Sequence, residues 1–563
     1  MLSKNTDSSE VSSLAGQLKI APVIASVLLN RNIKSSDAAA FLNKSIKNVH
    51  HPYLLKDAQK AAERICSAIK TKEKIVIYGD YDVDGITSTA ILYMFLTELG
   101  ANTDFYIPNR SDEGYGINML ALQKIKNSGA SLLITVDCGI TAVGEVELAK
   151  AMGLTVIVTD HHTCKQIIPN AYAVVNPKQP DCSYPFKNLA GVGVAFKLIL
   201  AVSLCLGLSA KEYFDKFIDI VAIGTIADVV SLTDENRIFV AAGLSALKNT
   251  QNLGLKALFK SASISDKPIN TSLISFMIAP RINAAGRVGS AKSAVELLVT
   301  KSAERAEQIA FALEDENHAR QSREQQILTQ ANEMIDADAS FKEKNVIVLA
   351  KENWHHGVIG VVASRLVDKY YKPAILISLK DGLGKGSGRS IKGFNLFDAL
   401  TDCSDLLLKY GGHELAAGLG VSESDIPALE KKINEYAKTH LSEEDLTPYI
   451  NIDAILSLGD LTVENAQMLS ILEPFGMGNP QPVFAAKNVT LIVQRAIGDG
   501  RHTRLTVSQN GKNIDALGFN MTQALSGFVV GSKLDIAFTL STNVFRGEKH
   551  LQVILKDVRL SVK

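Results

Sequence analysis

Cysteine is scarce and unpatterned in this 563-residue chain. Cys66, Cys138, Cys164, Cys182, Cys205 and Cys403 form no C-x-x-C pair and no regular spacing, which argues against a zinc module or a disulfide framework. Reduced thiols of a cytosolic protein are the expectation. Net charge is missing too: Lys+Arg and Asp+Glu both number 59, so any nucleic-acid surface must be a local patch. The polar N-terminus "MLSKNTDSSEVSSLAG" lacks the apolar core of a signal peptide. The best membrane candidate, "LAGVGVAFKLILAVSLCLGLSA", is interrupted by Lys197 and carries glycines at its start, so it reads as a buried helix. A cytoplasmic chain without a membrane partner is expected. Internal repeats and low-complexity tracts are absent.

What is present is the composition of a folded protein, 46% hydrophobic and 21% charged, at a length that calls for several domains. In the first half, short β-rich runs alternate with helical segments: "KIVIYGD" before "ITSTAILYMFLTELG", "SLLITVDCG" before "GEVELAKAMG", then "LTVIVTDHH". This is the rhythm of parallel β-α-β units, whose strands are buried on both faces. From Ser302 to about Ala339 the chain has no Gly or Pro and is dense in charge, which predicts a long connecting helix. A second α/β section follows, with strands "NVIVLA" and "AILISL" and a helix from about Val358 to Lys369, closing near Leu441. After "LEPFGMGNPQPVF" the period drops to two, and Asn510-Gly511 between alternating runs signals a hairpin. A small antiparallel β-domain, a barrel, is expected at the C-terminus.

Chemistry gathers where the runs end. Asp80, Asp82 and Asp84 follow "KIVI", Asp137 ends "LLITVD", Asp160-His161-His162 end "TVIVTDHH", and Asp228 follows the apolar run in "IVAIGTIADVVSL". In a parallel sheet, ligands bind beyond the carboxyl ends of the strands. Each piece alone has a bland reading: a helix cap for Asp137 or Asp228, a surface or core pair for the histidines, a solvated turn closed by Gly85 for the three aspartates. Four segments delivering acids and imidazoles to one sheet edge leave carboxylates without compensation unless a cation neutralises them. Oxygen and imidazole donors without thiolate suit Mn²⁺ or Mg²⁺. Two such ions roughly 3.5–4 Å apart are a phosphoester-hydrolysing arrangement, with Asp137 placed to bridge them.

"DYDVDG", "VDCG", "DHH" and "ADVVSL", in that order, resemble the DHH phosphoesterase superfamily. "YIPNRSDEGYG", "LAGVGVAFKL", "APRINAAGR", "WHHGVIGVVASRL", "GSGRSI", "GGHELAAGLGV" and "LEPFGMGNPQPVF" narrow the resemblance, from about Ile20 onward, to its RecJ branch of single-strand-specific 5′→3′ exonucleases. The resemblance implies an α/β chain: an N-terminal leader segment (1–45), a parallel-sheet DHH catalytic domain (46–300), a connector helix (301–340), a smaller α/β DHH-associated domain (341–445) and a C-terminal β-barrel of OB-fold type (446–563). It implies two Mn²⁺ or Mg²⁺ ions, with Asp82 and Asp84 on different ions, Asp137 bridging, His161 and Asp228 completing the site of Asp84, and His162 facing the scissile phosphate or leaving group. The superfamily often has a histidine four residues before the D-x-D pair, where this chain has Tyr78; Asp80 is expected to compensate. Single-stranded DNA is the implied substrate, 5′-mononucleotides the products, DNA recombination and repair the setting. A helicase and a single-strand-binding protein are implied partners, and a monomer is expected.

Substrate contacts are expected outside the metal cluster, from Arg110, Arg281, Asn283 and Arg287, whose arginines offer a planar fork to phosphate. Ser387, Gly388, Arg389 and Ser390 read as a glycine-rich phosphate-holding turn, without the P-loop spacing. His413 in "GGHELAAG" is no zincin histidine, because Ala417 stands where the second His would be. The resemblance turns it toward the DNA cleft. Trp354, His355 and His356 read equally as core, cap or DNA contacts. Lys487, Arg495, Arg501, Arg504 and Lys512 form a basic run with few aromatics, so electrostatics should dominate strand binding there. Two other readings stand beside this one. A DHH hydrolase of short oligonucleotides, cyclic dinucleotides or pyrophosphate would not need the β-domain, and a non-catalytic DNA-binding scaffold would not need the acids.

Overall fold

The computed structural model describes residues 2–3, 7–109, 113, 116–288, 291–545 and 547–561. After the two-residue strand β1 (Leu2–Ser3) come three helices, α1 (Ser8–Leu18), α2 (Pro22–Asn30) and α3 (Ser35–Leu42). The first large domain runs α4 (Ala58–Thr71), β2 (Lys74–Gly79), α5 (Val83–Glu98), β3 (Asn102–Tyr106), α6 (Met119–Asn127), β4 (Leu132–Val136), α7 (Val143–Ala151), β5 (Thr155–Thr159) and β6 (Ala173–Val175). It continues as a helical layer: α8 (Gly191–Cys205), α9 (Ala210–Ala227), α10 (Asp234–Leu247), α11 (Leu253–Ser261), the single turn α12 (Thr271–Leu273), α13 (Ala279–Val288) and α14 (Ala291–Val299).

The strands pair in the order β3-β2-β4-β5-β6, all parallel. "KIVIYG" is apolar throughout because both faces are covered. Ile75 and Ile77 join the core under α4, α5, α8 and α9, while Val76 and Tyr78 join the opposite core under α6 and α7. The helix α8 accounts for the one membrane-like run: residues 191–203 are buried, and Lys197 is neutralised by Glu235, with Nζ 2.5 Å from Oε1. Among the described residues no single helix is long and apolar enough to cross a membrane.

The predicted connector is α15 (Ala303–Ala337), 35 residues and so about 52 Å long. Its first half packs Ala306, Ile309, Ala310 and Leu313 into the first domain's core. Its second half packs Ile327, Ala331 and Ile335 into the next. That next domain holds β7 (Ile347–Glu352), α16 (His356–Tyr370), β8 (Ala374–Lys380), β9 (Leu383–Arg389), α17 (Leu396–Asp402), β10 (Leu407–His413), β11 (Ala416–Ser422) and α18 (Ile426–His440), with sheet order β10-β11-β9-β8-β7. Trp354 is buried and donates to Gln330 on α15, and His355 caps α16 by accepting from Gly357 N, so both serve structure.

The C-terminal domain comprises β12 (Asn451–Ile452), β13 (Ala454–Ile455), α19 (Val463–Met468), β14 (Val483–Ile497), β15 (His502–Gln509), β16 (Lys512–Gly518), α20 (Thr522–Leu525), β17 (Lys533–Phe545) and β18 (Glu548–Leu560). Pairing of β14 with both β15 and β17, and of β16 with β18, closes a five-stranded barrel. Asn510 and Gly511 turn the β15–β16 hairpin with φ of 50° and 80°, as a two-residue loop of that type requires. The segment expected as an N-terminal leader packs on the barrel. Leu14, Ile24, Val27, Leu28 and Ala38 share one core with Phe484, Leu505 and Phe538 of the barrel, and β1 pairs with β12. The polar character of the first sixteen residues hid an amphipathic pair of helices whose apolar partner lies about 450 residues away in the chain.

Candidate metal centre

The strand order puts the switch point of the sheet between β2 and β4, because the chain leaves β2 toward β3 and then returns to the other side. The crevice beyond the carboxyl ends of those two strands is where a sheet of this kind binds ligands. Asp80–Asp84 flank it on one side and Asp137 on the other. Asp160-His161-His162 follow β5, the strand next to β4. Asp228 arrives differently from the expectation: it follows the helix α9, at its C-cap, and not a strand. A short apolar run cannot distinguish a buried strand from a buried helix, and "FIDIVAIGTI" is apolar because α9 is enclosed on all sides.

Local packing fixes each acid. Asp82 is the N-cap of α5, accepting from Asp84 N and Gly85 N at 2.9 and 3.1 Å. Asp84, in the first turn, accepts from Gly191 N and Val192 N at 2.7 Å each, at the positive end of α8. Gly85 does not turn the chain; it lies inside α5, where a Cβ would stand 2.4 Å from Asp80 O. That close approach brings the loop's carboxylates together. Asp137 has φ +59°, a left-handed conformation that aims its side chain across the crevice. Asp160, buried, accepts from His161 N (2.7 Å), His162 N (3.0 Å), His162 Nδ1 (2.7 Å) and Ile140 N (2.9 Å), and so fixes the backbone of the motif and orients the His162 imidazole.

His161 Nε2 lies 3.2 Å from Asp137, 3.6 Å from Asp228 and 3.9 Å from Asp84. Donor atoms fall into three overlapping sets, each within 4.8 Å: Asp84, His161 and Asp228; Asp80, Asp82 and Asp137; Asp137, His161 and His162. Asp137 Oδ1, Asp228 Oδ2 and both ring nitrogens of His161 are buried with no hydrogen-bond partner among the described residues. Leaving such atoms unpaired is costly, and the electrostatics register it. Burial and then Asp82 push Asp84 up to about 7, burial with Asp84 and Asp82 pushes Asp228 up to about 9, and burial with the same neighbours holds Asp137 well above the carboxylate range. Burial, then the charge of His162, takes His161 down to about 3. For Asp160 and His162, burial is outweighed by their mutual hydrogen bond and charge, so Asp160 is lowered and His162 raised. Acids that resist ionisation and an imidazole that stays neutral, all aimed at one point, fit divalent cations.

Tyr78 stands aside from this cluster. Its hydroxyl donates to Gly116 O at 2.7 Å, and its ring stacks on Tyr106 at 5.6 Å, on the α6 side of the sheet. Asp80, grouped with Asp82 and Asp137, is the acid in a position to make up the set. Sequence reasoning passed over Asp160 as an orienting acid and over the amides of Gly191 and Val192. The triple Asp-His-His was the available signal for the first. Nothing in "LAGVG" announces the second.

The expected substrate residues divide. Arg110 and the side chain of Arg287 lie outside the described residues. Arg281 is only 7% exposed. Its Nε and Nη2 (2.8 Å) pair with Glu314 of α15 and its Nη1 donates to Met277 O at 2.5 Å, so it pins α13 to the connector rather than offering a fork to phosphate. Asn283 lies half-buried on α13, which touches the metal loop through Gly286, where a Cβ would meet Tyr81 O at 2.5 Å. Ser387, Gly388 and Arg389 are not in a turn: they end the strand β9, whose glycines at 384, 386 and 388 leave room for Ile377, Leu419 and Leu396. Ser387 and Arg389 face Gly360 of α16, Ser390 Oγ donates to Phe394 O at 2.8 Å, and His413 is exposed at the end of β10. The basic run of the barrel is partly neutralised, since Arg501 pairs with Asp499, Arg504 with Asp515, and Lys512 donates to Gly459 O and Leu461 O.

Comparison with known proteins bears on the whole chain. Family models match residues 74–225 (DHH family, N-terminal domain), 343–439 (DHHA1 domain) and 452–557 (RecJ OB domain). The chain is 42% identical over 559 residues to the single-stranded-DNA-specific exonuclease RecJ of Bacillus subtilis, covering 99% of this chain and 70% of that protein. It is 35% identical over 532 residues to the protein of the same description from Haemophilus influenzae, covering 91% and 92%. It is similar to the crystal structures of RecJ from Thermus thermophilus in complex with Mn²⁺ (TM-score 0.83, 30% identity, 99% of this chain and 79% of that) and with Mg²⁺ (TM-score 0.79, 29% identity, 99% and 78%).

Proposed function

Because the chain belongs to the RecJ family of single-stranded-DNA-specific exonucleases, we propose that its acid cluster hydrolyses the 5′-terminal phosphodiester of single-stranded DNA. The observation that carries this reading is the convergence of Asp84, Asp137 and Asp228 on His161 Nε2 within 3.9 Å, with buried donor atoms left unpaired. Asp84, His161 and Asp228 would hold one ion, Asp80 and Asp82 a second, and Asp137 both. Mn²⁺ or Mg²⁺ bound there would supply Lewis acidity to a phosphate oxygen and lower the pKa of water. His162, half-exposed at the edge of the cluster and raised above an ordinary imidazole by its hydrogen bond to Asp160, would serve the leaving oxygen. Attack by water, whose proton is released to solvent, forms one P–O bond and breaks the bond to the 3′-oxygen of the terminal nucleotide. The electron pair stays on that oxygen, which takes a proton from His162, and a 5′-mononucleotide departs. Asp160 then holds His162 for reprotonation.

Ser387, Arg389 and His413 would contact the strand from the second domain, and the barrel would add affinity. A helicase or single-strand-binding protein would present the strand, and the chain would work as a monomer. Digestion of 5′- and 3′-labelled single strands with Mn²⁺, Mg²⁺ or chelator tests the reading: immediate release of the 5′ label as mononucleotide, and none with chelator, is expected. Release of the 3′ label first, or cleavage of dinucleotides in preference to long strands, would refute it and favour the small-substrate reading.

A further inference from the structure

Beside the acid cluster stands one cation that the mechanism above does not use. The strands β5 and β6 are parallel neighbours, paired Thr159 to Val175, so the loops that follow them leave the same sheet edge side by side. One loop is Asp160-His161-His162; the other is Asn176-Pro177-Lys178. Asn176 is fully buried and ties the two together: its Nδ2 donates to His162 O at 3.0 Å and its Oδ1 accepts from Lys178 N at 2.8 Å. From the other side, buried Gln179 donates to Val174 O at 2.7 Å and Asn176 O at 3.3 Å. Pro177 removes a backbone degree of freedom between them. The turn that carries Lys178 is thus fixed to the backbone of the histidine motif.

The Lys178 side chain is half-buried, yet its ammonium makes no ion pair and no hydrogen bond among the described residues. Its charge reaches the centre. Burial raises Asp228 and lowers His161; the charge of Lys178 opposes the first shift and adds to the second. A lysine head with no acid of its own, on a rigid turn at the rim of a carboxylate cluster, is placed to meet an anion that arrives there.

We propose that Lys178 is a catalytic residue that contacts a non-bridging oxygen of the scissile phosphate and stabilises the charge that grows on it during attack by water. Lys178 transfers no proton; it supplies a fixed positive charge. The proposal rests on the exonuclease reading above. Its test compares the wild type with Lys178→Met and Lys178→Arg on a 5′-labelled strand, with Mn²⁺ affinity measured separately by titration calorimetry. Lys178→Met should lower kcat roughly 100-fold, as loss of one transition-state donor does, with KM and Mn²⁺ affinity within about two-fold of wild type. Lys178→Arg should recover at least about a tenth of the lost rate, since it keeps the charge. A kcat for Lys178→Met within about three-fold of wild type overturns the proposal. So does a parallel shift in Mn²⁺ affinity, which would make Lys178 part of ion binding, or an Arg variant as slow as Met. If the wild type itself does not cleave, the exonuclease reading has failed first.

Discussion

Removing divalent ions and raising the pH should destabilise the metal-free protein, and the acid cluster sets the size of the effect. Asp228 is pushed from an ordinary 3.8 up to about 9, chiefly by burial, with Asp84 and Asp82 adding. A raised folded-state pKa means that the native protein keeps a proton the unfolded chain has released. The stability so gained is fully present below the unfolded value and is lost as pH climbs toward the folded one. Between about pH 6.5 and 8.5 the Asp228 carboxyl alone costs about 3 kcal/mol, at about 1.4 kcal/mol per pH unit. Asp84, raised to about 7, adds to the loss only at the lower end of this window, and Asp137, also raised, acts in the same direction. His161, depressed to about 3 from an ordinary 6.5, has the opposite sign but changes nothing above 6.5. A domain of this size should lose roughly 6–12 °C in Tm across the window. Bound ions remove the effect, because the carboxylates are then ionised in both states. Scanning calorimetry with chelator and with Mn²⁺ at the two pH values reads it directly. A metal-free Tm that stays level or rises with pH would refute the reasoning, as would an equal fall with Mn²⁺ present.

Asp137→Asn should abolish hydrolysis while leaving affinity for single strands within about two-fold, read by anisotropy; retained turnover would remove Asp137 from the centre. Glu314→Gln leaves the buried Arg281 guanidinium without its acid and should cost about 3–5 kcal/mol, seen as a lower Tm with KM for DNA unchanged. A raised KM at unchanged Tm would return Arg281 to phosphate binding. Gly85→Ala drives a methyl against Asp80 O, 2.4 Å away, and should raise the Mn²⁺ needed for half-maximal rate by about ten-fold. An unaltered requirement would mean that the loop yields without moving its acids.

The parallel sheet and the long connector could be read from the chain because both are strongly patterned. "KIVI", "LLITV" and "TVIVT" are continuous apolar runs ended by acids, and Ser302 opens a segment free of Gly and Pro. That Asp80, Asp82, Asp84, Asp137 and Asp160-His161-His162 would lie together was legible for the same reason, since strand ends converge at a predictable edge. Three features were not. Asp228 caps a helix, because a buried helix and a buried strand look alike over ten apolar residues. Arg281 was assigned to phosphate because its motif carries no trace of Glu314, 33 residues further along on another helix. The glycines around Ser387 suggested a turn, whereas they relieve crowding in a strand against Ile377, Leu419 and Leu396. In the last two cases a partner on another element decided the outcome, and local sequence does not encode such partners. The N-terminal helices follow the same rule, their core being completed by the barrel.

On the proposed function, these carboxylates and His161 would hold two divalent ions, with Asp137 common to both. Titration calorimetry with Mn²⁺ on the wild type and on Asp137→Asn tests it most directly. Two ions per chain in the wild type, with both affinities weakened by the single substitution, is the predicted result. One ion per chain, or an Asp137→Asn variant that binds Mn²⁺ as the wild type does, would contradict it.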